Sequence, residues 1–431
     1  MKDFATSDHP AVQAQLDRLA ALSLPQGRLG LATIGELLAR LGDPHTRLPP
    51  VFHVAGTNGK GSVCAFLRAM LEAQGLSVHA TISPHLVRYN ERIRIGGRLI
   101  SDDALASLLG EVLDCARGLE VSFFETTIAA AFLAFSRHPA DACVIETGLG
   151  GRFDATGALR HTAASGIVTL GIDHERFLLA PEDGAPAAPL ARIAFEKAGI
   201  IRPGSPVATL SYPPEAEAQI ERAAAIAGAP LHMRGRDWDF AASDVIEYSD
   251  RHGALTLPLP ALAGAHQAAN AGLAVAMLRH QDVVEVSPEA LATGIATARW
   301  PARLQRLSAG PVTALAQGRT VWLDGGHNPD AGAALARHFA GRRLHLVLGM
   351  LANKDPRAVV EPLGADIATL QVVPVPGHES HGADAFGQTA RAVPDVATAL
   401  ASLPGDELPV LIAGSLYLAG EVLRLNGEAP D

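Results

Sequence analysis

The apolar positions of the chain fall into short runs, which alternate with longer segments where apolar residues recur every three or four positions. Short runs rich in Val and Ile predict buried strands, and the recurring spacing predicts amphipathic helices. From Val51 to Val207 this alternation predicts a mostly parallel sheet with helices on both faces, which is a doubly wound α/β domain. The predicted strands are 51–54, 77–82, 143–145 and 166–170, and the predicted helices are 104–116 and 126–135.

A second alternation begins near Thr320 and predicts a smaller, Rossmann-like α/β domain. Pro301 follows a helical segment and suits a linker before this alternation. We therefore expect a domain of residues 1–298 and another of residues 299–431. The predicted strands of the second domain are 321–323, 344–348 and 409–412, its predicted helix is 329–339, and the Ala-, Pro- and Gly-rich segment 181–189 is predicted to be a loop.

The composition is that of a globular protein, with 48% apolar and 19% charged residues. Its 431 residues exceed what one core usually supports, which agrees with two domains. The net charge of −10 argues against broad electrostatic binding to nucleic acid or to an anionic membrane. Cys64, Cys115 and Cys143 form neither a disulfide framework nor a zinc-binding spacing. Because the sequence has no apolar signal region and no membrane-length apolar window, we expect a cytoplasmic protein.

The segment from Gly56 to Ser62 follows the first predicted strand and opens a helical pattern. A strand, a glycine turn and a helix together present backbone N–H groups and the positive end of a helix to a phosphate. Lys60 can reach the outer phosphates, and the Ser62 hydroxyl can hold Mg²⁺. The general P-loop pattern is matched incompletely, because Val54 occupies its first glycine position and Gly61 separates Lys60 from the hydroxyl. We predict that this segment binds ATP.

Three further predicted strands are followed by residues that suit the same site. Ser83 follows the second strand, Glu146 the third, and Asp173 and His174 the fourth. Ligands of parallel sheets bind at the C-terminal ends of the strands, so these side chains are expected to converge beside the phosphate-binding segment. A carboxylate at this edge can bind Mg²⁺, whereas a lone imidazole is an unusual ligand for that ion.

Three polar residues on predicted helices allow more than one interpretation. Lys197 lies near the end of a helix that Gly199 is expected to stop. From position alone, Lys197 is a cation that interacts favourably with the helix dipole. Gln267 and Asn270 lie near the start of a later helix, where their amides could bind a nucleotide or cap the helix.

Seven separated motifs occur in order along nearly the whole chain. Together they resemble the folylpolyglutamate synthases, which are commonly bifunctional with dihydrofolate synthase and belong to the Mur ligase superfamily. The motif Ser-Pro-His-Leu and the run Gly-Leu-Gly-Gly-Arg-Phe-Asp-Ala-Thr look like this branch and distinguish it from the Mur ligases. The seven motifs are 56–62, 83–86, 123–125, 146–156, 173–174, 196–200 and 324–329.

The resemblance implies an ATP-dependent ligase of P-loop type. A carboxylate of dihydropteroate, or the γ-carboxylate of a reduced folate, would attack the γ-phosphate of ATP, and the amine of L-glutamate would displace phosphate from the acyl phosphate. The second domain would close over ATP and glutamate, and the protein is expected to act as a monomer on these small molecules. Two Mg²⁺ ions would be held by Ser62, Ser83, Glu146, His174 and a carbamylated Lys197.

The resemblance also implies roles for individual side chains. The catalytic residues would be Lys60, Lys197, Asp324 and His327. ATP would contact Gly56, Thr57, Asn58, Gly59, Lys60, Gly61, Ser62, Gln267, Asn270, Arg303 and Asp324. Substrates would contact Phe124, Arg152, Asp154, His327 and Ser415, with Asp154 on the pterin side.

Two other functions remain open from the sequence. A Mur-type ligase would use a nucleotide-linked peptidoglycan precursor as its acceptor. A non-catalytic nucleotide-binding regulator would bind ATP without releasing phosphate in response to glutamate. The regulator is the weaker alternative, because the chain has all of the residues Lys60, Glu146, His174, Lys197, Asp324 and His327.

Overall fold

The computed structural model describes residues 5–22 and 30–430. The chain forms two compact units. The first unit consists of Met1–Pro84, Tyr89–Ala261 and Gln267–Arg299, and the second consists of His85–Arg88, Leu262–His266 and Trp300–Asp431. Two short segments from the earlier part of the chain, 85–88 and 262–266, thus belong to the second unit.

The first unit is built on an eight-stranded sheet with the order β4-β3-β2-β5-β1-β6-β7-β8. The six strands from β2 to β8 in this order are parallel, and β3 and β4 add an antiparallel edge. The strands are β1 (Val51–Ala55), β2 (Val78–Thr81), β3 (Ile93–Ile95), β4 (Arg98–Leu99), β5 (Ala142–Glu146), β6 (Ala164–Ile167), β7 (Val207–Thr209) and β8 (Leu231–Met233).

Helices cover both faces of this sheet. Phe132 and Leu109 pack with apolar residues of β1 and β5 on one face, whereas Ile220 packs with Ile167 and Val207 in a separate cluster. Every residue of β1 and β5 is buried, as expected for a parallel sheet covered on both faces. The helices are α1 (Pro10–Ala20), α2 (Ala32–Arg40), α3 (Lys60–Ala73), α4 (Asp102–Cys115), α5 (Phe123–Arg137), α6 (Glu175–Leu178), α7 (Pro189–Lys197), α8 (Pro214–Ala227), α9 (His266–Arg279) and α10 (Pro288–Thr297).

A small antiparallel sheet in the first unit was not predicted. It contains β9 (Trp238–Ala242), β10 (Ile246–Asp250) and β11 (Gly253–Leu257) in the order β11-β10-β9. Gly272 of α9 lies beneath this sheet, because a Cβ there would lie 3.2 Å from the rings of Trp238 and Phe240. The sheet therefore covers a face of α9.

The second unit contains a six-stranded sheet with the order β12-β13-β17-β14-β15-β16, parallel except for β12. Apolar clusters around Val422 and Phe339 occupy its core. The strands are β12 (Gln305–Arg306), β13 (Val321–Leu323), β14 (Leu344–Leu348), β15 (Ile367–Val372), β16 (Ala390–Ala392) and β17 (Val410–Ala413), and the helices are α11 (Pro311–Leu315), α12 (Pro329–Phe339), α13 (Arg357–Leu363), α14 (Val396–Ala401) and α15 (Leu416–Asn426).

These sheets confirm the predicted doubly wound α/β fold with a smaller second α/β region. The predicted strand 166–170 is wrong in its bounds, because β6 ends at Ile167. Beyond it, Thr169 pairs with the turn after β1: the Thr57 N–H donates to the Thr169 carbonyl over 2.8 Å, and the Thr169 hydroxyl donates to the Asn58 carbonyl. Within the described residues, no helix has both the length and the apolar character needed to cross a membrane.

Candidate active site

Four neighbouring strands of the first sheet end at one edge and bring the predicted site residues together. The strands β2, β5, β1 and β6 are parallel and adjacent. Their ends lead to Ser83, Glu146, the phosphate-binding segment and, six residues beyond β6, Asp173. The topology confirms the convergence of strand ends predicted from the sequence.

The segment from Gly56 to Ser62 forms a tight turn that leads into α3. Gly59 has φ +89°, and a Cβ there would lie 2.7 Å from Oδ1 of Asn270, so this position requires glycine. The Thr57 hydroxyl fixes the turn, since it donates to the Gly171 carbonyl and accepts from the Gly171 N–H. Gly59 precedes α3 without a side-chain cap, so the first N–H groups of the helix suit a phosphate.

Side chains from α9 reach the start of α3. The Gln267 amide donates to the Ser62 hydroxyl over 3.4 Å, and the Asn270 amide donates to Gln267 over 2.9 Å. Lys60 lies in the same turn, and its Nζ donates to the Thr57 carbonyl over 3.4 Å. The structure therefore brings Gln267 and Asn270 to the phosphate-binding turn.

Glu146 places a buried carboxylate at this edge. It is 5% exposed, and one of its oxygens accepts a hydrogen bond from the Ser83 N–H over 3.2 Å. The His174 side chain is exposed, and its backbone N–H donates to the Asp173 carboxylate. Within residues 5–22 and 30–430, no three His, Cys, Asp or Glu side chains are grouped to hold a metal. The donors fit a Mg²⁺ ion that takes its remaining ligands from phosphate and water, as this ion commonly does.

Lys197 is buried next to the start of the turn from Gly56 to Ser62. It is 4% exposed, and its Nζ donates to the Gly56 carbonyl over 2.9 Å. Burial, followed by repulsion from Lys60, lowers the pKa of Lys197 to about 7, against the opposing attraction of nearby carboxylates. This shift increases the neutral fraction of the amine near pH 7.

As expected from Gly199, α7 ends at this point: its last residue is Lys197, and Gly199 lies in the short 3₁₀ turn Ala198–Ile200 without a positive φ. Gly199 is also a site of close packing: a Cβ would lie 2.2 Å from the Cα of Arg152. Gly151 contacts the same helix end, where a Cβ would lie 2.8 Å from the Lys197 carbonyl. The absence of side chains therefore allows the glycine-rich loop 148–157 to lie against the end of α7.

Two charged residues of this loop, expected to contact substrate, are engaged within the protein. Arg152 donates to Glu196 over 2.7 Å and also pairs with Glu182. The buried Asp154 carboxylate accepts from the Leu149 N–H over 2.7 Å and from the Thr156 hydroxyl over 2.6 Å. These contacts give both residues a role in ordering the loop.

Phe124 lies beside the start of the same loop. Its ring covers Gly148, where a Cβ would lie 2.3 Å from Cζ. The sequence interpretation missed His53, a fully buried residue of β1 whose Nε2 lies 2.9 Å from the Thr156 hydroxyl. The sequence feature that could have indicated His53 is a histidine within an otherwise apolar predicted strand.

In the second unit, Asp324 and Ser415 follow the adjacent parallel strands β13 and β17. The buried Asp324 carboxylate accepts from the N–H groups of Leu304 and Gly326, each over 2.7 Å. Burial raises the pKa of Asp324, while Arg303 and the two N–H groups oppose this shift. Ser415 caps α15 by accepting from the Tyr417 N–H.

His327 and Arg303 lie close to this part of the second unit. The His327 Nδ1 lies 2.9 Å from the Gly325 carbonyl, which makes Nδ1 the protonated nitrogen. Arg303 donates to the Ala302 carbonyl, and one of its nitrogens would lie 3.0 Å from a Cβ at Gly325. The second unit thus brings Arg303, Asp324 and His327 to one short region.

The glycine turn that opens α3 suits a phosphate, and the comparisons with known proteins identify an ATP-dependent ligase of the Mur ligase superfamily. Residues 303–416 match the family described as Mur ligase, glutamate ligase domain. The chain belongs to the dihydrofolate synthase/folylpolyglutamate synthase family, since it is 34% identical over 354 residues to the Bacillus subtilis enzyme of that name, covering 78% of each chain. The Escherichia coli relative of the same name is 32% identical over 413 residues, which are 92% of this chain and 91% of that one.

Solved structures agree with this assignment. Escherichia coli FolC in complex with DHPP and ADP has a TM-score of 0.83 and 30% identity, covering 97% of both chains. A bifunctional folylpolyglutamate synthase/dihydrofolate synthase with Mn, AMPPNP and L-glutamate bound has a TM-score of 0.83 and 30% identity, covering 98% of this chain and 99% of that one. The comparisons confirm the family, the fold class and the ligase class predicted from the sequence.

Proposed function

We propose that this chain joins L-glutamate to dihydropteroate and to the γ-carboxylate of reduced folates, using ATP. The convergence of four strand ends on the turn from Gly56 to Ser62 is the observation that carries this proposal. A lysine, a helix N-terminus and a buried carboxylate at this edge support the proposal, because phosphoryl transfer needs cations and a metal ligand. Family membership supplies the substrate class.

The first chemical step is formation of an acyl phosphate. A carboxylate oxygen of the acceptor attacks the γ-phosphorus of ATP, a P–O bond forms, and the bond to the β-phosphate oxygen breaks to release ADP. The turn N–H groups and Lys60 bind the phosphate oxygens and stabilise their charge. The glutamate amine then attacks the acyl carbon, phosphate leaves, and the amine gives up a proton.

Glu146 and the Ser62 hydroxyl are the residues that would hold Mg²⁺ at this turn, with Ser83 and His174 as further proposed ligands. We propose that two Mg²⁺ ions bind at this site. The metal supplies positive charge at the transferring phosphoryl group. The buried position of Glu146 and its hydrogen bond from Ser83 support its role, because they fix the carboxylate beside the turn.

Lys197 is proposed to carry a carbamate. A neutral lysine amine attacks CO₂, forming an N–C bond and releasing one proton, and the product is an anionic oxygen ligand. The pKa near 7 supports this step, since the neutral amine is the nucleophile. As an ammonium, Lys197 would repel a metal ion.

For the second unit we propose that Arg303 and Asp324 contact the nucleotide, and that His327 and Ser415 contact glutamate. Asp324 already accepts two backbone hydrogen bonds, so it fixes the loop that carries His327. In the first unit, Gln267 and Asn270 are proposed as nucleotide contacts. Their hydrogen-bonded chain to Ser62 supports this role.

Substrate recognition is proposed to use Phe124 and the loop 148–157. The ring of Phe124 offers an apolar surface to the aromatic part of a pteroate. Arg152 and Asp154 would act by ordering the loop, since their charged groups are already hydrogen-bonded. We further propose a cytoplasmic monomer, a location supported by three free cysteines.

One assay tests this proposal. ADP release is measured with ATP, Mg²⁺ and L-glutamate, in separate reactions with dihydropteroate, tetrahydrofolate and a uridine-diphosphate-linked peptidoglycan precursor. We expect turnover with one or both pterins and none with the precursor. Turnover with the precursor alone would assign a Mur-type activity, and nucleotide binding without any glutamate-dependent ADP release would indicate a regulator.

A further inference from the structure

A chain of buried hydrogen bonds connects the interior of β1 to the glycine-rich loop. His53 Nε2 lies 2.9 Å from the Thr156 hydroxyl, which donates to Asp154 Oδ1 over 2.6 Å. The Thr156 N–H donates to the same oxygen, and the Leu149 N–H donates to Oδ2. All three side chains in the chain are at most 4% exposed.

The direction of each hydrogen bond in this chain follows from the available protons. Thr156 has one hydroxyl hydrogen, which goes to the Asp154 carboxylate, so its oxygen must accept from His53. His53 therefore carries a proton on Nε2. Its Nδ1 is buried and has no hydrogen-bond partner in the described part of the chain, so a second proton there would be unsatisfied.

The loop held by this chain also contacts the helix that carries Lys197. The Arg152 N–H donates to the Glu196 carbonyl over 2.8 Å, and Gly151 packs on the Lys197 carbonyl. Lys197 in turn donates to the Gly56 carbonyl, just beyond the end of β1. These contacts link β1 to the glycine-rich loop, the loop to the end of α7, and the end of α7 back to Gly56, the residue that follows β1.

We infer that His53 is a positioning residue, which sets the glycine-rich loop for the acceptor substrate through Thr156 and Asp154. This inference rests on the proposed function, because the loop is proposed there as an acceptor-binding element. His53 itself touches no substrate. Since the hydrogen bonds pass through Thr156, loss of either side chain should disturb the loop, and loss of the Thr156 hydroxyl removes both bonds.

The test compares steady-state kinetics of His53→Leu, His53→Gln, Thr156→Val and the double variant His53→Leu/Thr156→Val. We expect His53→Leu to raise KM for dihydropteroate about tenfold, as loss of one buried hydrogen bond would, and Thr156→Val, which removes two, to raise it at least as much, with KM for ATP changing less than about twofold in both. His53→Gln keeps an N–H donor at a similar reach and should stay within about threefold of wild type. The double variant should resemble the single variants, because coupled residues are not additive.

His79→Leu is the matched control. His79 is equally buried on β2, which β5 separates from β1, but its Nε2 meets the His138 carbonyl and its Nδ1 accepts from the Gly96 N–H. We expect this variant to lose stability without changing the ratio of the two KM values. A structural effect alone would make His53→Leu behave like His79→Leu.

Three results would overturn the inference: an unchanged KM for dihydropteroate in Thr156→Val, equal changes for both substrates, or multiplicative effects in the double variant. Thr156→Val is nearly isosteric, so it decides the question even if His53→Leu does not fold. Wild-type turnover is measured first. An inactive wild type contradicts the proposed function, whereas an active wild type with unaffected variants contradicts only the role of His53.

Discussion

Two lysines near the phosphate-binding turn have different surroundings, and their chemistry differs accordingly. Lys60 begins α3 and is partly exposed, where its side chain can reach a phosphate bound at the turn. Lys197 is buried at the end of α7 and is neutral in part at pH 7. We therefore propose an electrostatic role for the first and a chemical modification for the second.

For Lys60→Ala we predict a loss of ADP release of at least about a hundredfold, because a charge that stabilises phosphoryl transfer is removed. Thermal stability should change little, since the side chain is outside the apolar core. Steady-state assays and thermal unfolding check both statements. Arg68→Ala, on the same helix and paired with Glu72, is the control and should keep its activity. Near-normal turnover of Lys60→Ala would remove the argument for the phosphate-binding turn.

For Lys197→Ala we predict loss of activity and partial recovery on addition of a small carboxylic acid such as acetate. The acid would occupy the space of the carbamate and supply its oxygens. Acetamide has a similar shape without the charge and serves as the control. Equal recovery with acetamide, or normal activity without any addition, would contradict the carbamate.

His53 should make the folding stability depend on pH. Burial, with a smaller repulsion from Arg202, lowers the pKa of His53 to about 3. Below pH 6.5 the unfolded chain binds a proton that the folded chain does not, so stability falls as pH falls from about 6.5 towards 3. From this residue alone we predict a loss of about 2 kcal/mol between pH 7 and pH 5.

Urea unfolding at the two pH values measures this effect. His53→Gln should reduce the pH-dependent loss by about 2 kcal/mol, whereas the exposed His161→Gln should leave it unchanged. An identical pH dependence in wild type and His53→Gln would show that His53 is not buried as the neutral form.

Among individual residues, the sequence predicts those side chains whose role follows from their position near the end of a strand. Glu146 and Lys60 belong to this group, since a parallel sheet brings strand ends together. The partners of Arg152 could not be predicted, because Glu182 lies 30 residues away in an irregular loop. His53 was missed because an apolar strand pattern does not indicate what a buried imidazole contacts.

At the scale of elements, the turn before α3 depends on the lack of a side chain at Gly59. We predict that Gly59→Ala weakens ATP binding about tenfold or more, because the methyl group would displace Asn270 from the turn. Calorimetric titration with ATP measures this loss. Gly75→Ala is a matched control, since Gly75 has nearly the same φ of +88° and nothing within 4 Å of an added Cβ.

Both variants should lose about 1 kcal/mol of stability from the left-handed backbone. Only Gly59→Ala should lose nucleotide affinity. Similar ATP affinities in the two variants would mean that the contact with Asn270 does not shape the nucleotide site.

Long periodic elements were predictable from the sequence, whereas short and irregular ones were not. The predicted helices 104–116 and 126–135 correspond to α4 and α5, whose starts are fixed by the caps Ser101 and Ser122. The short strands β3 and β4 have too few residues for a pattern. The strands β9 to β11 have five residues each, and β9 and β11 each contain one buried residue, so they give little apolar alternation, whereas β10 alternates over its short length.

At the scale of the whole molecule, one chain contains a phosphate-binding turn and a segment that matches a glutamate ligase domain. The central claim is that phosphoryl transfer activates a carboxylate for attack by glutamate. The chemistry requires that an oxygen of the acceptor carboxylate leave with the phosphate.

The most direct test uses dihydropteroate labelled with ¹⁸O in its carboxylate, together with ATP, Mg²⁺ and L-glutamate. Mass spectrometry of the released inorganic phosphate then reports the origin of its oxygens. We expect one ¹⁸O atom in each phosphate, formed in step with the amide product. Unlabelled phosphate, at the same yield of amide, would contradict activation through an acyl phosphate.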